Sequence, residues 1–312
     1  MEFIPHVVAY VAIGIFVIAV AARFFYWQKM PMHVRWELYP VAHEGKRARH
    51  GGSYLEDVDW WKKEREVDRI SELKQMLPEM IFLVALREHN PKLWWRSFPF
   101  HFGIYMVIGC TFLMFGGGVL GAVAPAAMAG GLGAAIQYIC LACGGVGLLL
   151  GLLGALGLLH RRLTDPELKD FTAPADLFNL VFFVLAFGTA LVTIALVDRD
   201  FSKTLGFATA LVAFSMAPMS AAAGLEPLLL TATVVLLGAL VAYIPLTHMS
   251  HFVGKWFSYH EIRWKDAPNL KGGPEEEAIG AALNRPVSWA ASHIDGGGKK
   301  SWADVATEEV KR

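Results

Sequence analysis

The chain is short of cysteine and short of charge, and both shortages exclude something. Its three cysteines, Cys110, Cys140 and Cys143, all stand inside apolar runs. Two neighbouring thiols such as Cys140-x-x-Cys143 cannot complete a zinc or iron–sulfur site by themselves, so they read as small packing residues. Charged residues make up 18% of 312, and 28 Lys and Arg balance 28 Asp and Glu. A chain without net positive charge carries no electrostatic footprint for nucleic acid. No Lys or Arg precedes the first apolar run. Although Ala19-Val20-Ala21 resembles a signal-peptidase site, the basic segment of a cleavable signal is missing. Carboxylates are few within the apolar runs and no internal repeat is visible, which argues against a transporter.

What the chain has in abundance is apolar length. Hydrophobic residues make up 55%, in runs of about 20, the length that spans a bilayer. The reading is an all-α membrane protein with five transmembrane helices in a bundle, which the histidines discussed below make a haem-binding one. The expected parts are a first helix within 1–28, a polar loop over 29–97, spans near 98–118, 134–160, 176–198 and 228–253, and a tail over 265–312. Residues 201–224 are apolar but broken by Pro218 and a small-residue run. Basic clusters decide their role. With five spans, the loop 29–96, Arg161 with Arg162 and Lys169, and Lys255 with Arg263 and Lys265 share one side, while the other holds only Arg199 and Lys203. The positive-inside rule then sets the N-terminus outside, the C-terminus inside, and 201–224 as an outer amphipathic or re-entrant segment.

Local signals fill in the polar parts. Ser53-x-x-Glu56 has the form of a capping box. Val67, Ile70, Leu73, Met76 and Leu77 recur at helical spacing and predict an amphipathic helix on the membrane surface or under a partner. Trp60, Trp61, Trp94 and Trp95 suit an interfacial belt. Six glycines between Gly144 and Gly157 permit close approach, by another helix or by a porphyrin. Asp176 is placed to cap the fourth span. The tail, with its glycine-rich stretches, is expected to have little fold of its own.

Ionisable residues at membrane depth are costly and usually functional. His101 opens the second span about one turn in. His251 closes the fifth about one turn from its end, on the same inner side. Two neutral imidazoles at matched depth on antiparallel spans suit the two axial ligands of a haem. His248, three residues earlier, is the alternative ligand, or a hydrogen-bond partner for a quinone or propionate. Arg23 reads as snorkelling to the interface, or, as the resemblance described below implies, as pairing with a haem propionate. His6, His33, His43, His50, His89, His260 and His293 are given no role.

These residues carry a resemblance. Phe100-His101-Phe102-Gly103-Ile104, the run 160–166 with Thr172-Ala173-Pro174-Ala175-Asp176, and residues 245–251 resemble the membrane cytochrome b (gamma) subunit of respiratory nitrate reductase. Still more similar are the gamma-like subunits of heterodisulfide-reductase-type complexes of sulfate reducers, whose longer polar loop and stretch 32–40 this chain shares. The resemblance implies haem b with ligands at His101 and His251. It sets the family's second ligand pair on Thr111 and Thr233, which do not ligate iron in that way, so one haem is expected and a second is left open, through His248 or His160.

The implied function is electron transfer. Menaquinol and menaquinone would be the substrate, in a multi-pass protein of the inner (cytoplasmic) membrane. With no cluster-forming cysteine set here, the resemblance implies a cytoplasmic cysteine-rich iron–sulfur partner, with further membrane or cytochrome c subunits. The surface helix, 256–264 and the tail would form its platform. His248, His160 and Asn179 are the quinone-site candidates. The competing readings are the cytochrome b anchor of a hydrogenase or formate-dehydrogenase-type complex, usually of four spans, and a cofactor-free membrane anchor.

Overall fold

The computed structural model describes residues 3–30, 40–45, 47, 53–64, 67–290, 294 and 297–308. The stretch 32–39, and with it His33, lies outside the described residues, as do His50 and His293. The chain divides into two compact units, Met1–Ile18 with Met76–Thr247, and Ala19–Gln75 with His248–Arg312. Among the described residues there is no β-strand. The helices are α1 (Ile4–Gln28), α2 (Arg69–Phe82), α3 (Val84–His89), α4 (Pro91–Val123), α5 (Pro125–Met128), α6 (Gly131–Thr164), α7 (Pro174–Leu196), α8 (Ser202–Val212), α9 (Leu225–Tyr243), α10 (His251–Phe257), α11 (Pro274–Leu283) and α12 (Trp302–Thr307).

Five of these are long and apolar enough to cross a membrane: α1, α4, α6, α7, and α9 with the 3-10 turn that follows it. The first unit is built around α6, where 39% of the apolar window is buried against 6% in α1 and 11% in α9. The glycines explain this. A Cβ on Gly103 of α4 would lie 2.5 Å from the Gly147 carbonyl, and one on Gly147 would lie 2.9 Å from the Gly103 carbonyl. Gly154 lies against Phe100, and Gly151 against the Phe187 ring of α7. Of the two readings of the glycine run, helix approach holds at these positions, because backbone and aromatic side chains fill the space. Gly145, with nothing within 4 Å, takes no part in it.

Several boundaries differ from expectation, each for a visible reason. Helix α4 starts at Pro91, where Asn90 accepts a hydrogen bond from the Leu93 N–H at 3.0 Å and proline needs no partner for its missing N–H. It runs on to Val123 instead of turning near Gly117, because Gly118 brings its backbone to within contact of Ala208 on α8. Ser53 caps only a 3-10 turn, Tyr54–Glu56, and the long loop helix begins at Arg69. The fourth span starts at Pro174, so Asp176 is not its N-cap but its third residue, whose carboxylate accepts from the N–H of the N-cap Ala173 at 3.1 Å. The α-helix of the fifth span stops at Tyr243, and the span ends at Leu246 and not at 253. Pro245 has no N–H to continue the helix, and the chain passes through a 3-10 turn into extended Thr247.

Segment 201–224 contains one helix, α8, of 11 residues. At a rise of 1.5 Å per residue that is about 16 Å, too short to cross. Buried Asp198 fastens its start, accepting from the Lys203 and Thr204 N–H groups at 2.9 Å each. At the other end, Glu226 meets Lys203 at 3.0 Å and Ser220 at 2.5 Å.

In the second unit the loop after α1 and the C-terminal tail pack on each other. His43 bonds Asp266, and Tyr54 donates to the Asp266 carbonyl at 3.1 Å. The two segments therefore share a side of the membrane. An even number of crossings must separate them, which four spans supply and five would not. The described part of the tail holds more structure than its composition promises. Val287 is fully buried, Val287 N–H donates to Lys300 O at 2.8 Å, and Trp302 N–H donates to Arg285 O at 3.0 Å, closing a loop whose turn uses Gly297 and Gly298 at positive φ.

Candidate functional site

His101 sits on α4 where three forces fix its ring. Phe100 anchors the turn by packing on Gly154 and, edge to face at 4.8 Å, on Phe183. The Phe100 and His101 rings meet at 5.4 Å, nearly perpendicular. The His101 Nδ1 lies 2.8 Å from the Ser97 carbonyl oxygen. A carbonyl only accepts, so Nδ1 carries the proton, and in the neutral ring the lone pair is on Nε2. That tautomer, held by a backbone carbonyl, is the one a metal-ligating histidine needs. His251, in the second unit, is the first residue of α10, and its Nδ1 lies 3.3 Å from the His248 carbonyl, which selects the same tautomer more weakly. The chemistry of both donors fits a haem iron.

His248 and His251 do not stand on the end of the fifth span, since α9 has already ended. His248 opens a 3-10 turn, His248–Ser250, and its own carbonyl is what holds His251. Arg23 lies half-buried in the last part of α1. His160 is exposed near the end of α6, beside Arg161, whose Nε donates to Asp165 at 3.2 Å. Asn179 is buried in α7 and accepts a hydrogen bond from the Tyr243 hydroxyl at 2.8 Å. Phe178 and Phe182 pack on the same tyrosine. Its place is explained by tying α7 to α9.

The two threonines at the positions of a second ligand pair are otherwise engaged. Thr111 donates to the Val107 carbonyl at 2.8 Å. The Thr233 hydroxyl is 2.7 Å from that of Thr193, which itself reaches the Thr189 and Leu229 carbonyls at 2.9 and 3.2 Å. Cys110 and Cys140 lie back to back, each thiol near the other's carbonyl. Among the described residues no group of three or more His, Cys, Asp or Glu side chains is arranged to hold a metal ion.

Reasoning from sequence missed one constellation, in the second unit. His43 stands between two buried carboxylates, with Nε2 on Asp266 and Nδ1 3.4 Å from Glu72. Glu72 also meets Arg69 at 2.9 Å and His260 at 3.7 Å. His260 stacks on Trp256 at 3.8 Å, within a π-helical turn, Ser258–Arg263. A pocket of ≈ 220 Å³ opens there, walled by Trp256, His260 and Trp264 and rimmed by Arg69 and Lys265. Glu44 closes the loop locally, accepting from the Val41 N–H at 2.6 Å and the Ser53 hydroxyl at 2.5 Å. The one available signal was Glu72 itself, adjacent in sequence to the apolar stripe of α2.

Residues 86–265, more than half the chain, match the family described as nitrate reductase gamma subunit. No curated protein matches the chain.

Proposed function

The chain belongs to the nitrate reductase gamma subunit family over residues 86–265, and from that premise we propose that it carries electrons between menaquinol or menaquinone and a cytoplasmic iron–sulfur subunit, using one haem b. Membership supplies the coarse statement: a multi-pass membrane cytochrome of b type, acting in electron transfer as a subunit of an oxidoreductase complex. The finer statement is ours. His101 and His251 are the proposed axial ligands, and the observation that carries the assignment is the His101 Nδ1–H bond to the Ser97 carbonyl at 2.8 Å. When bound, the haem supplies a one-electron carrier whose potential the surrounding protein tunes.

What the chain's own residues do follows from their chemistry. The Ser97 and His248 carbonyls hold the ligand imidazoles in the right tautomer. Arg23 is the proposed counter-charge for a propionate. Thr111 and Thr233 supply hydroxyls already bonded elsewhere, which supports one haem and not two. Iron–sulfur clusters belong to the partner, because the three cysteines here are apolar packing residues. The second unit, with its π turn and ordered tail, is the proposed platform for that partner. It is set on the cytoplasmic side by the positive-inside distribution. We place the N-terminus outside and the protein in the inner membrane.

The deciding measurement is a pyridine haemochrome assay on the purified chain, with a dithionite-reduced spectrum. One b-type haem per chain is expected. Absence of a b-type α-band would leave a cofactor-free anchor, and two haems per chain would refute the threonine argument.

A further inference from the structure

Helix α2 wears its hydrophobicity on the outside. Ile70, Leu73 and Leu77 are 66, 53 and 46% exposed, whereas Glu72 and Met76 are buried at 5 and 6%. A helix bathed in water would arrange these the other way round. Lys74 and Gln75 are exposed on a different face of the same helix. The outer surface is thus divided lengthwise into an apolar stripe and a polar one.

The end of α2 says which medium meets the apolar stripe. The last four carbonyls of a helix have no partner within it, and in water the solvent satisfies them. Here side chains of α4 do so. The Tyr105 hydroxyl donates to the Met80 carbonyl at 2.8 Å, and the Trp94 Nε1–H donates to the Phe82 carbonyl at 2.8 Å. Glu79 O takes the Leu83 N–H at 3.2 Å as the chain turns through left-handed Leu83 into α3. Arg96 is the last charged residue of α4 before its apolar stretch. Tyr105 stands 105 − 96 = 9 residues beyond it, a rise of about 13 Å at 1.5 Å per residue. Side chains on a helix lean back toward its N-terminus, so the carbonyl that Tyr105 reaches lies between that depth and the level of Trp94, where few waters replace a missing partner and an unsatisfied backbone group is costly.

Tyr105 also joins two surfaces. With Ile108 and Phe112 it forms an exposed stripe on α4, at spacings of three and seven residues, and that stripe belongs to a membrane span. Leu77 and Phe82 of α2, both exposed, flank Met80, whose carbonyl Tyr105 bonds. Trp94 and Trp95, at the start of α4, mark the headgroup level.

We propose that α2 is an in-plane membrane helix, its Ile70–Leu73–Leu77 stripe seated in the acyl chains of one leaflet and its Lys74–Gln75 side in water. The occupant of the stripe is lipid and not a partner protein, and the assignment is independent of the redox reading. Such a helix would hold the entrance of α4, and with it the turn bearing His101, at a fixed depth.

The test is site-directed spin labelling of the full chain in proteoliposomes of phosphatidylethanolamine and phosphatidylglycerol. Labels are placed by Leu77→Cys and Lys74→Cys, with the unsubstituted chain as background for its own thiols. Both sites are exposed, so neither change disturbs packing. At Leu77 relaxation should be enhanced more by oxygen than by a water-soluble nickel chelate, and at Lys74 the order should reverse. Stronger enhancement by the chelate at Leu77 would put the stripe in water and overturn the proposal. Protection of Leu77 from both agents would mean that protein covers it and would equally overturn it. Leu73→Cys repeats the measurement one turn earlier and should agree with Leu77.

Discussion

The imidazole of His43 bonds the carboxylate of Asp266 across 223 residues of sequence, and this contact constrains the topology. One residue belongs to the loop after the first span and the other to the segment after the last. A bond between them is possible only if both lie on one side of the bilayer. The first test is therefore of sidedness. Single cysteines in the loop 53–64 and in the tail should react with an impermeant reagent from the same face of oriented vesicles, and a cysteine at position 216 from the opposite face. Labelling of loop and tail from different faces would overturn the five-span reading.

The same contact is buried, so losing it should be felt. His43→Ala leaves Glu72 and Asp266 without the imidazole between them. Removing one partner of a buried hydrogen bond leaves the other unsatisfied, which costs about 1–3 kcal/mol. The expected result is rapid proteolysis of the tail in the variant, with the apolar spans still folded. An unchanged cleavage rate would show that the cluster contributes little.

Haem content gives a direct assay of the ligand assignment. The double change His101→Ala with His251→Ala should remove the b-type α-band completely, whereas Thr111→Ala with Thr233→Ala should leave both haem content and spectrum unchanged. Retained haem in the histidine variant would mean that another pair, such as His248 with His160, holds the iron.

Glycine packing predicts opposite outcomes for two neighbouring substitutions on α6. Gly147→Ala forces a methyl to 2.9 Å from both the Gly103 carbonyl and Met106 Cβ, and overpacking of this kind costs about 1–3 kcal/mol. Gly145→Ala meets nothing within 4 Å and should be neutral or stabilising, by up to about 1 kcal/mol of helix propensity. Denaturation midpoints in mixed micelles would distinguish the two. Equal effects would count against the α4–α6 approach.

Alkaline pH should loosen the second unit. Burial opposes the charge on Lys265, but its bonds to Glu261 at 2.7 Å and Glu275 at 2.8 Å outweigh this and hold its pKa above the ordinary lysine value. A group with a raised folded pKa contributes stability that is fully present below its unfolded pKa and is lost as pH rises through the folded one. Protease sensitivity of the tail should thus increase above roughly pH 10, the ordinary lysine range. Glu275→Gln should bring that onset to lower pH, and an unmoved onset would reject the pairing.

Much of this molecule was legible as a string. The five spans follow from apolar length, and the place of His101 on the second from a single histidine after the last interfacial cation. Those are local properties, because backbone hydrogen bonds within a helix close over four residues and hydropathy is counted over about twenty. The early end of the fifth helix was also there to be read, in Pro245. What tertiary structure alone decided is everything that depends on a partner far along the chain. The glycines of α6 face helices because Phe100, Phe187 and Gly103 arrive opposite them. Glu72 is buried because His43 and His260 are brought to it. The tail is ordered because Val287 finds cover. Burial and pairing are properties of two surfaces meeting, and a sequence written in one dimension records each surface without recording the meeting.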